Sequence, residues 1–294
     1  MNNYFHYSIP KFHDNIIQRK IRFYLRKILY FRQIRFFEKE LNNKKNTHLK
    51  NFFTPRSHDY YTAFRKFCDK SFGINERVKT IIYDVNKGLE VFKFLPNDQI
   101  VFSFDEDYHI YLGYNHRVIE EGFWAFSLKY KEYTIQQCSF CFTLENNILI
   151  ACIQGYKYQD FNILEINKIL TKKSHGLRPA SLLIECSKIL CEVLQLNYTL
   201  GVHENNQMRS HKKENKGYFV NYKKTWLENG GELIRLKKHK YYKLSITHKN
   251  IENIASHKRS MYKKRFNMLK DIKQNLNTLI CNKPFDKIDY SDHV

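Results

Sequence analysis

The chain has 294 residues, of which 50 are Lys or Arg and 29 are Asp or Glu, giving a formal net charge of +21. Hydrophobic side chains make up 43% and aromatic side chains 16%, a composition that excludes intrinsic disorder. The charge favours phosphate-rich partners, such as nucleic acid, anionic lipid or a phosphorylated cofactor. An AT-rich genome would also enrich Lys, Asn, Ile, Tyr and Phe, so part of the charge has an explanation without function.

The cysteines and the N-terminus indicate a reducing compartment. Seven cysteines are an odd number in a long chain, which argues against a disulfide scaffold. Cys138 and Cys141 form a C-x-x-C motif in a strand-like run, where side chains three apart point to opposite faces, so we expect buried free thiols and no metal site. The first 15 residues lack the apolar core of a signal peptide, and no run of about 18 apolar residues could span a bilayer. The sequence predicts a cytoplasmic protein, free or peripheral to the inner membrane.

Helical periodicity dominates the first 86 residues. The longest run covers 16–41, and shorter helices are predicted over 59–70 and 75–86. The long run is rich in Lys and Arg, and its apolar stripe consists of Ile17, Ile21, Tyr24, Ile28 and Phe31. Such a helix packs its stripe on the domain, as surface helices usually do, or lies on an anionic lipid surface.

The period changes to two after residue 86, where β-branched and aromatic runs alternate with polar turns. The strands predicted for this antiparallel meander cover 91–95, 100–104, 108–114, 122–130, 133–144 and 148–154, with a hairpin turn at Asn146-Asn147. The elements predicted after the meander are helices over 162–171 and 179–196, a strand over 198–203, a helix over 222–228, strands over 232–236 and 241–246, and a last helix over 251–280.

These elements predict an α+β fold, with N-terminal helices and a mixed, largely antiparallel sheet flanked by further helices. The expected domains are a helical region over 1–86 and an α+β domain over 87–294, with one continuous unit as the alternative. We expect the strand over 148–154 to lie beside the strand over 198–203.

Three segments together resemble the VirK/YbjX family of Gram-negative bacterial proteins. The first is a strand over 149–155 followed by His175-Gly176-Leu177-Arg178-Pro179, the second is Tyr222-x-x-x-Trp226-x-x-x-Gly230-Gly231, and the third is Lys258-Arg259-x-x-Tyr262-x-x-Arg265. The resemblance covers about residues 55–275, while the run over 201–209 departs from the family pattern. It implies a role in virulence and in cell-envelope properties, including outer-membrane lipid and resistance to antimicrobial peptides.

The segment from His175 to Ser181 is the best local candidate for chemistry. Pro179 suits the first position of a helix, and a helix N-terminus presents free N–H groups that bind phosphate. Arg178 could clamp a pyrophosphate with Gly176, Ser181 and Lys173 around it, and His175 could act as a general base. The alternative is a structural turn, in which His175 and Arg178 hold loops together.

The order of strand, basic loop, helix and strand is also similar to that of the acetyltransferase (GNAT) fold, although a helix is inserted and the Gly-x-Gly pair is missing. By that analogy the loop holds an acyl-CoA or an acyl carrier protein thioester, and His203 or Glu204 takes a proton at the reacting centre. A surface turn is the ordinary alternative for this pair. The Tyr222 and Trp226 pair is interpreted as a core anchor.

The sequence therefore supports two hypotheses about function. The first is an envelope-associated acyltransferase that uses an acyl thioester donor and a lipid or protein acceptor. The second is a non-enzymatic accessory or regulatory factor that binds anionic lipid or nucleic acid through basic faces, such as that of the last helix. No helix-turn-helix or similar module is visible, which argues against sequence-specific DNA binding.

Overall fold

The computed structural model describes residues 16–92, 98–210, 220–246 and 251–281. The helices are α1 (Ile16–Leu29), α2 (Phe31–Leu41), α3 (Thr47–Phe53), α4 (Ser57–Tyr60), α5 (Ile74–Val91), α6 (Ile163–Lys173), α7 (Pro179–Val193), α8 (Tyr222–Glu228) and α9 (Ser256–Cys281). The strands are β1 (Gln99–Ser103), β2 (Tyr108–Tyr114), β3 (Trp124–Tyr130), β4 (Tyr133–Thr143), β5 (Asn147–Gly155), β6 (Thr199–Val202), β7 (Gly231–Leu236) and β8 (His239–Leu244). The predicted α+β fold class is confirmed.

The eight strands form a mixed sheet in the order β1-β2-β3-β4-β5-β6-β8-β7. Among the described strands, only β5 and β6 are paired in parallel, with Ile148 opposite Thr199 and Ile150 opposite Gly201. The predicted neighbourhood of these two strands is confirmed. The hairpin between β4 and β5 is confirmed as well, and Asn146 takes the left-handed conformation that its turn requires, with a φ of 58°.

Helices cover both faces of the sheet. Cys138 of β4 lies 3.6 Å from the Ser187 hydroxyl of α7, whereas Cys141 is hydrogen-bonded to Cys68 of the N-terminal helical part. Side chains three apart on a strand point to opposite faces, so α7 and the N-terminal part lie on opposite sides of β4. The expected free thiols are found, with six buried cysteines and an exposed Cys281.

The N-terminal part differs from the sequence prediction in four places. No helix was predicted where α3 lies. The run over 16–41 is interrupted at Tyr30, which separates α1 from α2. The helix predicted over 59–70 is replaced by α4 and a 3-10 helix, Tyr61–Phe64, in which four consecutive side chains are buried. The strand predicted to begin at Val91 is wrong at its start, since Val91 continues the buried stripe of α5; residues 93–97 lie outside the described part.

The interpretation in which the predicted apolar stripe of α1 packs on the domain is also wrong. Ile21, Tyr24, Ile28 and Phe31 are exposed, and the side chain of Ile17 lies outside the described part. The buried face of these two helices instead contains Phe23, Ile34, Phe37 and Leu41, whose neighbours are the rings of the segment that follows. None of the described helices is both long and apolar enough to cross a bilayer.

One buried contact attaches α5 to the sheet. The carboxylate of Asp84 accepts hydrogen bonds from Trp124 Nε1 at 2.9 Å and from the Phe142 backbone N–H at 2.6 Å. Burial raises the pKa of Asp84 well above its ordinary value. Gly88, one helical turn further, provides the space that the indole ring of Trp124 occupies.

This contact predicts a large effect of a single methyl group. In Gly88→Ala, the added Cβ would lie 1.9 Å from Trp124 Cζ2, so the helix or the ring must move. Overpacking of this kind costs about 1–3 kcal/mol, and chemical denaturation should show that loss. Gly73→Ala, at the N-cap of the same helix, is the matched control, because no atom lies within 4 Å of its added Cβ. Equal stability of both variants would contradict the packing.

Candidate functional site

The parallel strands β5 and β6 separate partway along the sheet. Their pairing ends at Ile150 and Gly201, although β5 continues to Gly155. At this point the β4–β5 register shifts between Ser139 and Phe140, which leaves Ala151 as the extra residue of a bulge. Bulges bend the strand that contains them. The C-terminal end of β5 therefore diverges from β6, and a cleft opens between β5 and the segment that follows β6.

A cavity of about 280 Å³ occupies this cleft. Its walls come from β4, β5, α6, the segment after β6 and the start of α8, and it is mainly apolar. The residues that line it are Ile135, Cys152, Ile153, Gln154, Gly155, Tyr156, Lys157, Ile163, Leu164, Asn167, Gln207, Arg209, Val220 and Tyr222. A mainly apolar cavity with a few converging polar groups is the usual form of a small-molecule site.

The polar groups converge on a buried carboxylate behind the cavity wall. Glu121 is 1% exposed, and its Oε1 accepts a hydrogen bond from Gln207 Nε2 at 2.9 Å. Arg209 Nε lies 3.5 Å from the same oxygen, and the thiol of Cys152 is hydrogen-bonded to the carboxylate. Burial raises the pKa of Glu121, and its three neighbours only partly offset that effect. A carboxylate with a raised pKa beside a cavity is a candidate general base.

The thiol of Cys152 connects this carboxylate with the cavity. Burial, followed by the charge of Glu121, raises the pKa of Cys152 well above its ordinary value, so the group is a thiol at rest. The hydroxyl of Tyr222 lies 3.5 Å from Cys152 Sγ and accepts a hydrogen bond from the backbone N–H of Ile153 at 3.1 Å. Tyr222 thus replaces the strand partner that β5 loses where β6 ends.

A short, tightly bonded loop brings Glu121 to this position. Asn115 donates to the carbonyl oxygens of Val118 and Gly122, both at 2.8 Å, and so closes the loop between β2 and β3. Gly122 has a φ of 110°, and a Cβ there would lie 2.3 Å from the Phe140 carbonyl oxygen. Only glycine fits at this position. As a result, the side chain of the preceding residue, Glu121, is directed into the protein interior.

An open groove continues the cavity towards the N-terminus of α7. It encloses about 590 Å³ and is lined by Gln136, Leu164, Asn167, Lys168, Thr171, Arg178, Pro179 and Ala180. Leu164 and Asn167 line both spaces. The side chain of Arg178 is 77% exposed, and its Nη1 is 3.8 Å from a Glu228 oxygen. Two cationic side chains and a helix N-terminus therefore lie along the groove, and we call the cavity and this adjoining groove together the channel.

The predicted residues His175 and Gly176 close the turn between α6 and α7. The backbone N–H of Gly176 donates to the Thr171 carbonyl oxygen at 2.7 Å, and Gly176 has a φ of 84°. Arg265 of α9 donates two hydrogen bonds to the carbonyl oxygen of His175, at 2.7 and 3.0 Å. Burial, together with Lys264 and Arg265, lowers the pKa of His175. This contact also joins the first and third of the family-like sequence segments.

The other predicted binding residues separate into two groups. Arg178 lies in the groove, and Ser181 lies in the first turn of α7 directly after its lining residues. Lys173 instead forms an ion pair with Asp105 and so lowers the pKa of that carboxyl. The structure therefore brings Arg178 and Ser181 together at the α7 N-terminus and directs Lys173 towards the β1–β2 turn.

The predicted catalytic pair lies beside the cavity rather than in its wall. Glu204 accepts a hydrogen bond from the Tyr242 hydroxyl at 3.1 Å, and burial together with this carboxylate raises the pKa of Tyr242 to about 12. His203 Nδ1 accepts a hydrogen bond from the backbone N–H of Asn205 at 3.2 Å. Gln207 and Arg209, a few residues later, are the side chains of this segment that reach the cavity.

Sequence reasoning missed the groups that form the cavity wall. Glu121 stands in a Glu-Glu-Gly run between two strands, which has the composition of an ordinary polar turn. Gln207 and Arg209 lie in the segment that departs from the family pattern, and this departure was the available signal. Tyr222 and Trp226 were interpreted as core residues, and Trp226 does pack on Gly201 and donates to the Val202 carbonyl oxygen at 2.9 Å. Tyr222, in addition, presents its hydroxyl to the cavity.

Comparison with known proteins gives several relatives in Gram-negative bacteria. The chain is 32% identical to a Haemophilus influenzae protein named "Uncharacterized protein" over 266 residues, which is 86% of this chain and 87% of the relative. It is 31% identical to "Membrane protein LapB" of Mannheimia haemolytica over 200 residues, 65% of this chain and 86% of the relative. It is 31% identical to "Uncharacterized protein YbjX" of Escherichia coli over 139 residues, 46% of this chain and 41% of that protein.

No solved structure matches the chain significantly. The family model described as "Protein of unknown function (DUF535)" matches residues 13–278. This match includes all three sequence segments that carried the resemblance, among them the His175 turn and its partner Arg265. The chain belongs to this family, the VirK/YbjX family.

Proposed function

We propose that this protein is an envelope-associated acyltransferase, which takes an acyl group from a thioester bound in the cleft between β5 and β6. The observation that carries the proposal is a cavity beside a buried carboxylate and thiol, adjoined by a groove that is lined by the basic N-terminus of α7. Membership of the VirK/YbjX family and similarity to a relative named "Membrane protein LapB" support an envelope-associated or virulence-associated role.

The shape of the channel fits an acyl thioester with a phosphorylated arm. The groove places Arg178, Lys168 and the free N–H groups of α7 at its outer end, where a phosphate would be bound. The apolar walls of the cavity accommodate the arm and the acyl chain. Acyl-CoA and an acyl carrier protein both present this chemistry, and a lipid or protein is the acceptor.

The contacts of the cavity wall support a covalent first half of the reaction. Cys152 is the nucleophile that lines the cavity, and Glu121 is the base in contact with it. Glu121 takes the thiol proton, the Cys152 sulfur bonds to the carbonyl carbon of the donor, and the C–S bond of the donor breaks. The departing thiolate takes the proton from Glu121, which leaves an S-acyl Cys152.

The second half transfers the acyl group to an amine or hydroxyl of the acceptor. The acceptor nitrogen or oxygen bonds to the acyl carbon, the bond from that carbon to the Cys152 sulfur breaks, and the proton of the attacking group ends on that sulfur. The Tyr222 hydroxyl, 3.5 Å from the sulfur, donates a hydrogen bond that would stabilise the sulfur as it leaves. Unlike Glu121, the residues His175, His203 and Glu204 have no hydrogen bond to Cys152 among the described contacts, and catalytic roles for them stay predictions.

Donor binding should depend on Arg178. Loss of its charged hydrogen bonds to phosphate, in Arg178→Ala, should weaken acyl-CoA binding by about 1.5–3 kcal/mol, or roughly ten- to a hundred-fold. Calorimetric titration measures this change. The melting temperature should stay the same, because the Arg178 side chain is mostly exposed.

Two further variants distinguish a binding role from a structural one. Arg265→Ala removes two hydrogen bonds from the His175 turn and should lower the melting temperature. Lys237→Ala removes only an exposed ion pair with Glu145, which contributes about 0–1 kcal/mol, so it should leave acyl-CoA affinity unchanged and the melting temperature nearly so. Unchanged acyl-CoA affinity in Arg178→Ala would show that the donor phosphate does not bind at Arg178. If acyl carrier protein binds and acyl-CoA does not, the donor is the carrier protein.

The covalent step should leave a mass signature. Incubation with acyl-CoA should add one acyl group to the protein, detected by intact mass spectrometry, and Cys152→Ser should abolish the adduct. Cys281→Ser is the matched control, since Cys281 is an exposed thiol that could be acylated without catalysis. Glu121→Gln should slow adduct formation by about 10²–10⁴-fold, the usual contribution of a general base. An adduct that persists in Cys152→Ser would exclude this nucleophile.

The raised pKa of Glu121 also has a consequence without any substrate. A carboxyl whose pKa is higher in the folded protein than its ordinary value of 4.5 binds its proton more tightly when folded. The free energy of unfolding therefore falls as the pH rises from 4.5 to the pKa of the folded state. The wild type should therefore lose melting temperature relative to Glu121→Gln from about pH 4.5 upwards. A constant difference between the two proteins across this range would show that the Glu121 pKa is not raised.

A further inference from the structure

Exposed apolar side chains are concentrated on α1 and the start of α2. Seven large hydrophobic side chains are exposed here within a short segment: Ile21, Tyr24, Leu25, Ile28, Leu29, Phe31 and Phe36. Ile28 and Leu29 are 74% and 70% exposed. A helix on the surface of a globular domain usually turns its apolar face inwards and its polar face outwards. These two helices bury one apolar face and present a second one to the outside.

The spacing shows that this second face is a single surface. Ile21, Tyr24, Leu25 and Ile28 are three or four residues apart and so share one side of α1. Phe23 points the opposite way, where it is buried against the ring of Tyr61 at a centroid distance of 5.2 Å. The helix is thus held to the protein by its inner face, while the outer face has no role in that packing.

Cations surround the exposed apolar surface. α1 contains no Asp or Glu, and its described cations outside the Tyr61 contact are Arg22 and Lys27; α2 adds Arg32 and Arg35. Arg35 lies over the ring of Phe31 at 5.3 Å, which places a cation directly on the apolar surface. Long cationic side chains can extend from an apolar surface to phosphate groups at its border.

We propose that α1 and the start of α2 form a docking surface for an anionic lipid bilayer. Three side chains beside the junction between the helices enter the acyl-chain boundary: Ile28, Leu29 and Phe31. Arg22 and Arg32 contact lipid phosphates. α1, with 14 residues, lies in the plane of the interface, because it is too short to span the roughly 30 Å hydrocarbon core.

The chemistry of this surface favours lipid over the other occupants. Aliphatic side chains such as Leu25 and Ile28 form no hydrogen bonds with phosphates, which supply half to two-thirds of the hydrogen bonds of a protein–DNA interface. A second copy of the chain would bring the same cations face to face, in a protein with a net charge of +21. Anionic lipid complements both properties, since it has acyl chains for the apolar side chains and phosphates for the cations.

Vesicle flotation with the full chain tests this surface. We expect binding to vesicles of phosphatidylcholine with 30% phosphatidylglycerol, at least ten-fold weaker binding to pure phosphatidylcholine, and weakening with salt, since exposed charges are screened beyond about 8 Å at physiological ionic strength. The double variant Ile28→Ser with Leu29→Ser should bind at least ten-fold more weakly at every salt concentration. Arg22→Gln with Arg32→Gln should lose the preference for the anionic vesicles.

The matched control is Leu227→Ser with Leu233→Ser, two leucines on α8 and β7 that are 52% and 51% exposed, and this variant should bind as the wild type does. Equal binding by the Ile28 and Leu29 variant, or no binding by the wild type, would overturn the proposal. Two other results would also overturn the proposal. One is a dimer of the wild type in sedimentation that the Ile28 and Leu29 variant abolishes, and the other is an affinity for duplex DNA that this variant lowers as much as it lowers vesicle binding.

A spectroscopic variant covers the case in which the double variant fails to fold. Both native tryptophans, Trp124 and Trp226, are fully buried. In Ile28→Trp, the new indole should therefore account for a blue shift of the emission when anionic vesicles are added. Emission that stays the same as in buffer would place Ile28 outside the bilayer and contradict the proposal.

Discussion

The architecture of the site depends on the parallel pairing of β5 with β6. Two parallel strands cannot be joined by a hairpin, so the chain must cross over between them, and α6 and α7 form that connection. The crossover places the N-terminus of α7 at the same edge of the sheet where β5 and β6 separate. A cavity and a positively polarised helix end are therefore adjacent as a result of topology.

Separation of the strands creates unpaired backbone groups, and the protein satisfies them with side chains. The bulge at Ala151 bends β5 away from β6. The backbone N–H of Ile153 then donates its hydrogen bond to the Tyr222 hydroxyl in place of a strand partner. Buried backbone groups need such partners. The replacement also brings a phenol next to Cys152 and Glu121, so one structural requirement supplies part of the chemistry that we propose.

Local patterns in the sequence predicted much of this fold. Period-two alternation identified the meander and the neighbourhood of β5 and β6, and the Asn146 turn was readable because few residue types favour a left-handed conformation. The break at Tyr30 and the exposed face of α1 were not readable, because periodicity shows that a helix has an apolar face and does not show which partner covers it.

The candidate site was only partly predictable for a related reason. Arg178 was readable because it lies beside a proline that begins a helix, a signal contained within a few residues. Glu121, Cys152 and Arg209 come from three separate segments, and each has an ordinary local context. Only the folded chain brings them together, and the raised pKa of Glu121 is a property of that burial.

One acyl thioester should occupy both the cavity and the groove, from Cys152 to the N-terminus of α7. Hydrogen–deuterium exchange of the full chain, with and without acyl-CoA, measures this occupancy. Exchange should become slower in peptides that cover residues 152–157 and 176–182, and should stay unchanged in the β7–β8 hairpin. Protection of only one of these two segments, or of neither, would show that the thioester does not occupy both spaces.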